Sequence, residues 1–286
     1  MNRRTICTSI AIALITAVAA VGQPAASGYL DVYVAKVKQD KRPQFDSVTK
    51  KFAAANRQHK GDNWVAYQVE YGEANTVYFV SVRNNYAGID EGVKAFMGAL
   101  KSAYGAQMTI FLAENDSYLI GSRSEIRARR PDLSSNLPAD NAALNRVVGK
   151  SRFLRIVTIR TRPGRGPDFE AELLNIKAAN EKQTPGRVTT VSQSSVGAPL
   201  GIYYLTNFGD SYAALASPKT LQELLGDRGY RNFQKNSSET TINAEIIICR
   251  WMPELSNPPA EIASADPAFW NPKPPAPPKA KPDEKK

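Results

Sequence analysis

The sequence predicts an α+β protein built from two tandem β-α-β-β-α-β modules packed sheet to sheet. Three observations predict it: an internal repeat that keeps its order along the chain, the same succession of β-favouring and helical runs in each copy, and short glycine-containing connections between paired runs. The repeat sets Phe45 on Phe169, an offset of 124, and with it Leu30 on Leu154 and Val32 on Ile156. Ala54-Ala55-Asn56 falls on Ala178-Ala179-Asn180, and Pro43 on Pro167. Further on the offset reads 125, with Val77-Tyr78 on Ile202-Tyr203. It ends at 122, with Pro131-Asp132-Leu133-Ser134 on Pro253-Glu254-Leu255-Ser256. Self-similarity of this kind marks fused structural units.

Taken in order, residues 29–38 and 152–162 alternate and favour strand. A helix follows in each copy: Phe45, Val48/Thr49, Phe52 and Ala55/Asn56 recur at helical spacing, as do Phe169, Leu173, Ile176 and Asn180. Pro43 and Pro167 sit in the first turn, where a missing N–H costs nothing. Two strands come next, 64–71 and 76–83 around Gly72, matched by 187–194 and 200–207 around Gly197. Connections this short suit antiparallel hairpins. Helical stretches 88–116 and 210–238, broken near Gly105 and Gly226, precede closing strands 120–129 and 242–251.

This element order is the ferredoxin-like split βαβ pattern. A four-stranded sheet with both helices on one face leaves the other face to be covered, and two copies in one chain can cover each other. The whole resembles the dimeric α+β barrel superfamily, which includes antibiotic-biosynthesis monooxygenases and NIPSNAP-type proteins. The resemblance spans about residues 29–255 and implies a fused pseudo-dimeric barrel, with a small-molecule pocket between sheet and helices of one module. Haem-degrading members of that superfamily use Asn, Trp and His together. Asn56, His59, Asn63 and Trp64 do not have that family's spacing, so the triad is not carried over.

The ends read differently. Arg3 and Arg4 precede an uncharged apolar run from Ile6 to Val21, with small residues at Ala17-Val18-Ala19 and Ala20-Val21-Gly22. Residues 1–22 are therefore expected to be a cleaved signal peptide; a membrane anchor is the alternative, although the run is short for a span. Export would place the protein in the periplasm or outside the cell. Residues 29–130 and 151–256 are expected to be the two modules, 131–150 a linker and 257–286 a disordered Pro/Lys-rich tail. Phe269-Trp270 is a candidate apolar anchor within that tail.

The chain has 37 Lys+Arg against 27 Asp+Glu, a formal charge of +10. That suits a positively charged soluble surface, or attraction to an anionic envelope surface through the tail. No nucleic-acid motif occurs. One His and two Cys, Cys7 and Cys249, exclude a His/Cys zinc site and an Fe–S cluster in one chain. No metal and no cofactor is expected. With two modules fused, a monomer suffices.

Two sets of residues are candidates for a site. The ligand-binding set is Asn56 and Asn180 on the apolar stripe of the first helix of each copy, His59 one turn on, and Trp64, Tyr67 and Tyr78 among the aromatics of the first copy. A buried amide needs hydrogen-bond partners; those partners are either a ligand or a neighbouring loop. The anion-binding set is the repeated trio Lys36, Lys38, Lys41 and Arg160, Arg162, Arg165, running into a helix N-terminus; a solvated strand end explains it equally. No nucleophile elbow, metalloprotease motif or P-loop occurs. The function expected is an exported small-molecule or anion-binding protein without catalysis. The alternative is a cofactor-independent monooxygenase-like enzyme with its pocket in the first module.

Overall fold

A computed structural model describes residues 25–216 and 219–271. The expected signal peptide, 1–22, and the last part of the expected tail lie outside the described residues. Among the described residues no helix is long and apolar enough to cross a membrane.

The first half of the chain runs β1 (Tyr29–Val37), α1 (Arg42–Gln58), β2 (Val65–Tyr71), β3 (Thr76–Arg83), α2 (Ala87–Tyr104), α3 (Met108–Ser117) and β4 (Leu119–Arg129). After α4 (Asn141–Lys150), the second half runs β5 (Phe153–Thr161), α5 (Gly166–Glu181), β6 (Thr189–Val196), β7 (Ile202–Gly209), α6 (Tyr212–Leu215), α7 (Leu221–Thr240) and β8 (Thr241–Trp251). Two short helices, α8 (Ala260–Ala265) and α9 (Pro267–Trp270), end the described chain.

All eight strands are antiparallel and close a barrel in the order β1-β3-β2-β8-β5-β7-β6-β4. The two halves therefore do more than face each other. Edge strand β2 hydrogen-bonds to β8, and β4 to β6, so closure satisfies backbone groups that open sheets would leave bare.

Strand alternation gives each strand an inner and an outer face. Val32 and Val34 of β1 point inward; Tyr33, Ala35 and Val37 point outward and pack under α1 with Phe45, Ala53 and Trp64. In the second half Val191 and Tyr203 pack outward against Phe169 and Leu173 of α5. The inner face holds Tyr67, Leu154, Ile156, Tyr204, Ile247 and Cys249.

The registers relate the two halves differently from the expected offset at one step. Val34 lies opposite Tyr78, and Thr158 opposite Tyr204. With Val34 and Thr158 at the offset of 124, Tyr78 corresponds to Tyr204, an offset of 126 and not 125. A one-residue slip moves a side chain to the other face: Tyr78 packs against the inner cluster, whereas Tyr203 lies under α5. At β4 and β8, Val34 also faces Arg123 and Thr158 faces Glu245, an offset of 122.

Two boundaries also change. The stretch expected as a linker contains α4, whose N-cap Asp140 accepts from the Ala143 N–H. The stretch expected to be extended from Asn257 onward is folded as far as its aromatic pair. Trp270 is fully buried, donates from Nε1 to the Gly149 carbonyl at 2.8 Å and lies 5.7 Å from the Trp251 ring. Arg152 stacks on Phe269 at 3.9 Å and pairs with Asp266. Val148 of α4, Ile262 of α8 and Trp270 share one apolar cluster with Tyr67, Cys249 and Trp251, so this segment closes that end of the barrel. Proline content argued for an extended chain, but one buried indole outweighs local propensity.

Candidate active site

A cavity of about 380 Å³ lies in the first half, between the outer face of the sheet and α1, α2 and α3. Its walls are rings. Tyr33 comes from β1, Phe45 and Phe52 from α1, Trp64 from the approach to β2, Phe79 from β3 and Phe96 from α2. These positions follow from local periodicity: Phe45, Thr49 and Phe52 share one face of α1, and Val93, Phe96 and Met97 share one face of α2. The rings hold one another in edge and tilted contacts, Trp64–Phe96 at 5.7 Å, Phe52–Phe96 and Tyr33–Phe79 at 6.1 Å. Trp64 spends its indole N–H on the Leu255 carbonyl behind it, at 2.7 Å, and offers the cavity only its ring.

Polar groups converge at two places. Asp31, Asp62, Ser81 and Arg83 form one. The Arg83 guanidinium donates to both Asp62 oxygens at 2.7 and 2.6 Å, and approaches Asp31 at 3.3 Å. Burial works against its charge, but the hydrogen bonds and charge of Asp62, followed by Asp31, outweigh that and hold it charged. Gly92 makes room for it: a Cβ there would fall 2.4 Å from Nη2. The second place holds Thr49, Asn115 and Asp116. Asp116 is exposed and has no salt bridge among the described residues. Burial, opposed by a hydrogen bond with Ser122 and reinforced by the Asp116 charge, raises the Tyr33 hydroxyl, so Tyr33 is a neutral phenol at ordinary pH.

The matching region of the second half is differently furnished. Glu170 of α5 accepts from Arg130 at 2.6 Å and from the Tyr203 hydroxyl at 2.7 Å, while Gln193 donates to that hydroxyl at 2.9 Å and accepts from Arg130 at 2.8 Å. Phe169 and Tyr203 rings sit 4.9 Å apart. Polar cross-links stand where the first half has rings.

Of the residues singled out from sequence, Trp64 lines the cavity, whereas Asn56, His59, Tyr67, Tyr78 and Asn180 do not. Asn56 is fully buried, but its amide serves the fold: it donates to the Phe52 carbonyl at 3.0 Å and accepts from the Asp62 N–H at 3.0 Å. A Cβ at Gly61 would lie 2.1 Å from Asn56 Oδ1, so that turn requires glycine. Asn180 donates to Ser135 Oγ at 2.7 Å and to the Arg187 carbonyl at 3.0 Å. Asn56→Ala is therefore expected to cost about 1–3 kcal/mol in urea unfolding, because buried donors and acceptors lose their partners; a cost near zero would show that water replaces the amide. His59 is exposed at the C-cap of α1. Tyr67 and Tyr78 stack inside the barrel, 4.9 Å between centroids. Tyr78 also lines a second cavity, of about 300 Å³, with Arg123, Glu125, Tyr204 and Glu245.

The basic trios do not converge on one point. Lys36 pairs with Glu73, Lys41 with Asp40 at 3.6 Å, and Lys38 donates to the Ser117 carbonyl at 2.7 Å. Arg165 pairs with Asp168 and Glu239, while Arg160 and Arg162 are exposed.

Sequence reasoning missed Asp31, Asp62, Arg83 and Phe96. A signal existed: Asp31 and Tyr33 share the β1 face that elsewhere buries Ala35 and Val37, and Ser81 and Arg83 share the β3 face of Val77 and Phe79. Polar residues in phase with a buried face mark an opening in the packing.

No protein-family model matches the chain, and no curated protein matches it significantly. Solved structures are similar. An anthrone oxidase-like protein aligns with a TM-score of 0.49 at 9% identity, covering 78% of this chain and 91% of its own. A candidate monooxygenase from Fusobacterium nucleatum subsp. nucleatum gives 0.49 at 13%, covering 79% and 93%. A mutant chlorite dismutase from Candidatus Nitrospira defluvii gives 0.43 at 9%, covering 84% and 96%. None of the three is a NIPSNAP-type protein. The expectation of a binding protein without catalysis is corrected: the enzyme alternative, with its pocket in the first half, is the better supported, because an open, ring-lined cavity lies there.

Proposed function

We propose that the chain is a monooxygenase-like enzyme acting without a resident cofactor, with its substrate in the cavity of the first half. The observation that supports it is the cavity itself: about 380 Å³, six aromatic rings, and polar groups at two separated places. Pockets with apolar walls and a few convergent polar groups are the usual form of small-molecule sites. In this reading the rings hold a flat, electron-rich substrate. Asp116 accepts a proton from it. Dioxygen is the second substrate. A substrate methylene becomes a carbonyl, one oxygen atom entering it and the other leaving as water, with the substrate supplying the electrons.

The resemblance to a superfamily with haem-degrading members raises the question of haem. The residues do not fit a histidine-ligated haem: His59, the one histidine, is exposed and does not line the cavity. No step is routed through one.

We also read the two halves as copies of one ferredoxin-like module. The support is the repeat together with the matching registers of β1/β3/β4 and β5/β7/β8.

The test is aerobic incubation of the full chain with anthrone and with 1,4-naphthohydroquinone, in EDTA, under ¹⁸O₂. Protein-dependent consumption of anthrone, with one labelled oxygen in the product, is expected. Equal rates with and without protein for both compounds would overturn the assignment.

A further inference from the structure

We propose that the molecule held in the first-half cavity is an organic cation: an apolar or aromatic body bearing a protonated amine or quaternary ammonium. This rests on the cavity as the binding site and adds the class of its ligand. The charged residues lining it are Asp31, Asp62, Asp116 and Arg83, three carboxylates against one guanidinium, a formal charge of −2. The whole chain carries +10. The distant positive charge does not decide what binds, because exposed charges are screened over about 8 Å at physiological salt, whereas the three carboxylates line the cavity wall.

The walls add a second, independent attraction. Tyr33, Phe45, Phe52, Trp64, Phe79 and Phe96 present ring surfaces to one space. Aromatic faces carry negative potential and attract alkylammonium groups, most strongly when water is excluded. Arg83 does not meet that demand from within, since its guanidinium is taken up by Asp62 and Asp31. Asp116 has no salt bridge among the described residues, and its field is felt at the Tyr33 hydroxyl, which it helps to raise. An anionic ligand would meet the Asp116 carboxylate and an Asp31–Asp62–Arg83 cluster of net negative charge. A neutral one, such as anthrone, packs on the rings but forgoes the charge attraction, and so binds more weakly than a cation of the same shape.

The experiment compares phenyltrimethylammonium with its neutral isostere tert-butylbenzene, by ligand-observed NMR titration of the full chain, wild type and Asp116→Asn. The cation is expected to bind at least about tenfold more tightly than the isostere, the combined effect of ring and carboxylate attraction. Asp116→Asn should weaken the cation several-fold and leave the isostere unchanged; Asp116 is exposed, so the variant folds. Equal affinity for the two probes, or no response to Asp116→Asn, would overturn the cation assignment while leaving the cavity as a binding site. If neither probe binds, the cavity itself is lost as the site and the cation assignment with it. Anthrone turnover under ¹⁸O₂ is read separately and reports on the reaction alone.

Discussion

Glu125→Ala is expected to destabilise the protein by about 3–5 kcal/mol, because it strips a buried charge of its partner. Glu125 and Arg127 lie on the inner face of β4, with side chains 2% and 5% exposed. Arg127 reaches Glu125 Oε2 at 2.7 Å, Arg123 reaches Oε1 at 2.6 Å, and the Tyr204 hydroxyl donates to Oε2 at 3.2 Å. The Arg127 guanidinium also stacks across the barrel on the Tyr204 ring, at 3.5 Å. Arg123 is half exposed and can turn to water; Arg127 cannot. Removing both members, as in Glu125→Leu with Arg127→Leu, should therefore cost less than Glu125→Ala alone. The pH dependence has a definite sign. Burial pushes the Glu125 carboxyl up, but the charge of Arg127 and the hydrogen bonds from Arg123 and Arg127 outweigh it and leave it below the usual carboxylate range. Its contribution is full above the unfolded value of about 4.3 and is lost as pH falls through the depressed folded value. Urea unfolding at pH 7 and at acid pH reads both. A single-mutant cost under about 1 kcal/mol, the range of an exposed pair, would show that water reaches the barrel interior.

The strands and helices were legible because their cause is local. Alternation along 29–38, the stripe Phe45–Thr49–Phe52 and the glycine-bearing hairpins are set by neighbours in sequence, and the structure places an element at each. What was not legible depends on closure. Tyr67 and Tyr78 were read as pocket residues on residue type alone, but which face a strand turns inward is fixed by its partners across the barrel, and both go inside. Asn56 was correctly expected to be buried; whether its amide serves a ligand or a turn depended on Gly61 and Asp62, which fold back on it. Trp64 and the preference for the first half could be read from aromatic content. Asp62 could not, because it lies in the loop between α1 and β2 and reads as solvated until Arg83 folds onto it. The tail misled for the same reason: its prolines speak locally, and the pocket for Trp270 is made by Gly149 and Trp251, far along the chain.

Val93→Trp is expected to lower kcat/KM of the proposed reaction by about a hundredfold or more, a barrier increase of at least about 2.7 kcal/mol. Val93 lines the cavity from α2 and is 57% exposed, so a larger side chain reaches the cavity without displacing the core. Valine and tryptophan have similar helix propensities, and a surface substitution of this kind changes stability by about 0.5 kcal/mol or less. The loss is therefore one of access, not of folding, and a urea midpoint measured beside the rate separates the two. The matched control is Leu174→Trp on α5, 47% exposed and outside the cavity, which should leave turnover unchanged. The pair also tests the asymmetry between the halves. The second half offers Glu170, Arg130 and Tyr203 already bonded to one another, and filling space near it removes nothing. The first half offers rings around open volume, and filling that removes the site. Undiminished turnover in Val93→Trp would place the chemistry elsewhere, and the second cavity, beside Arg123 and Tyr204, would then be the place to look.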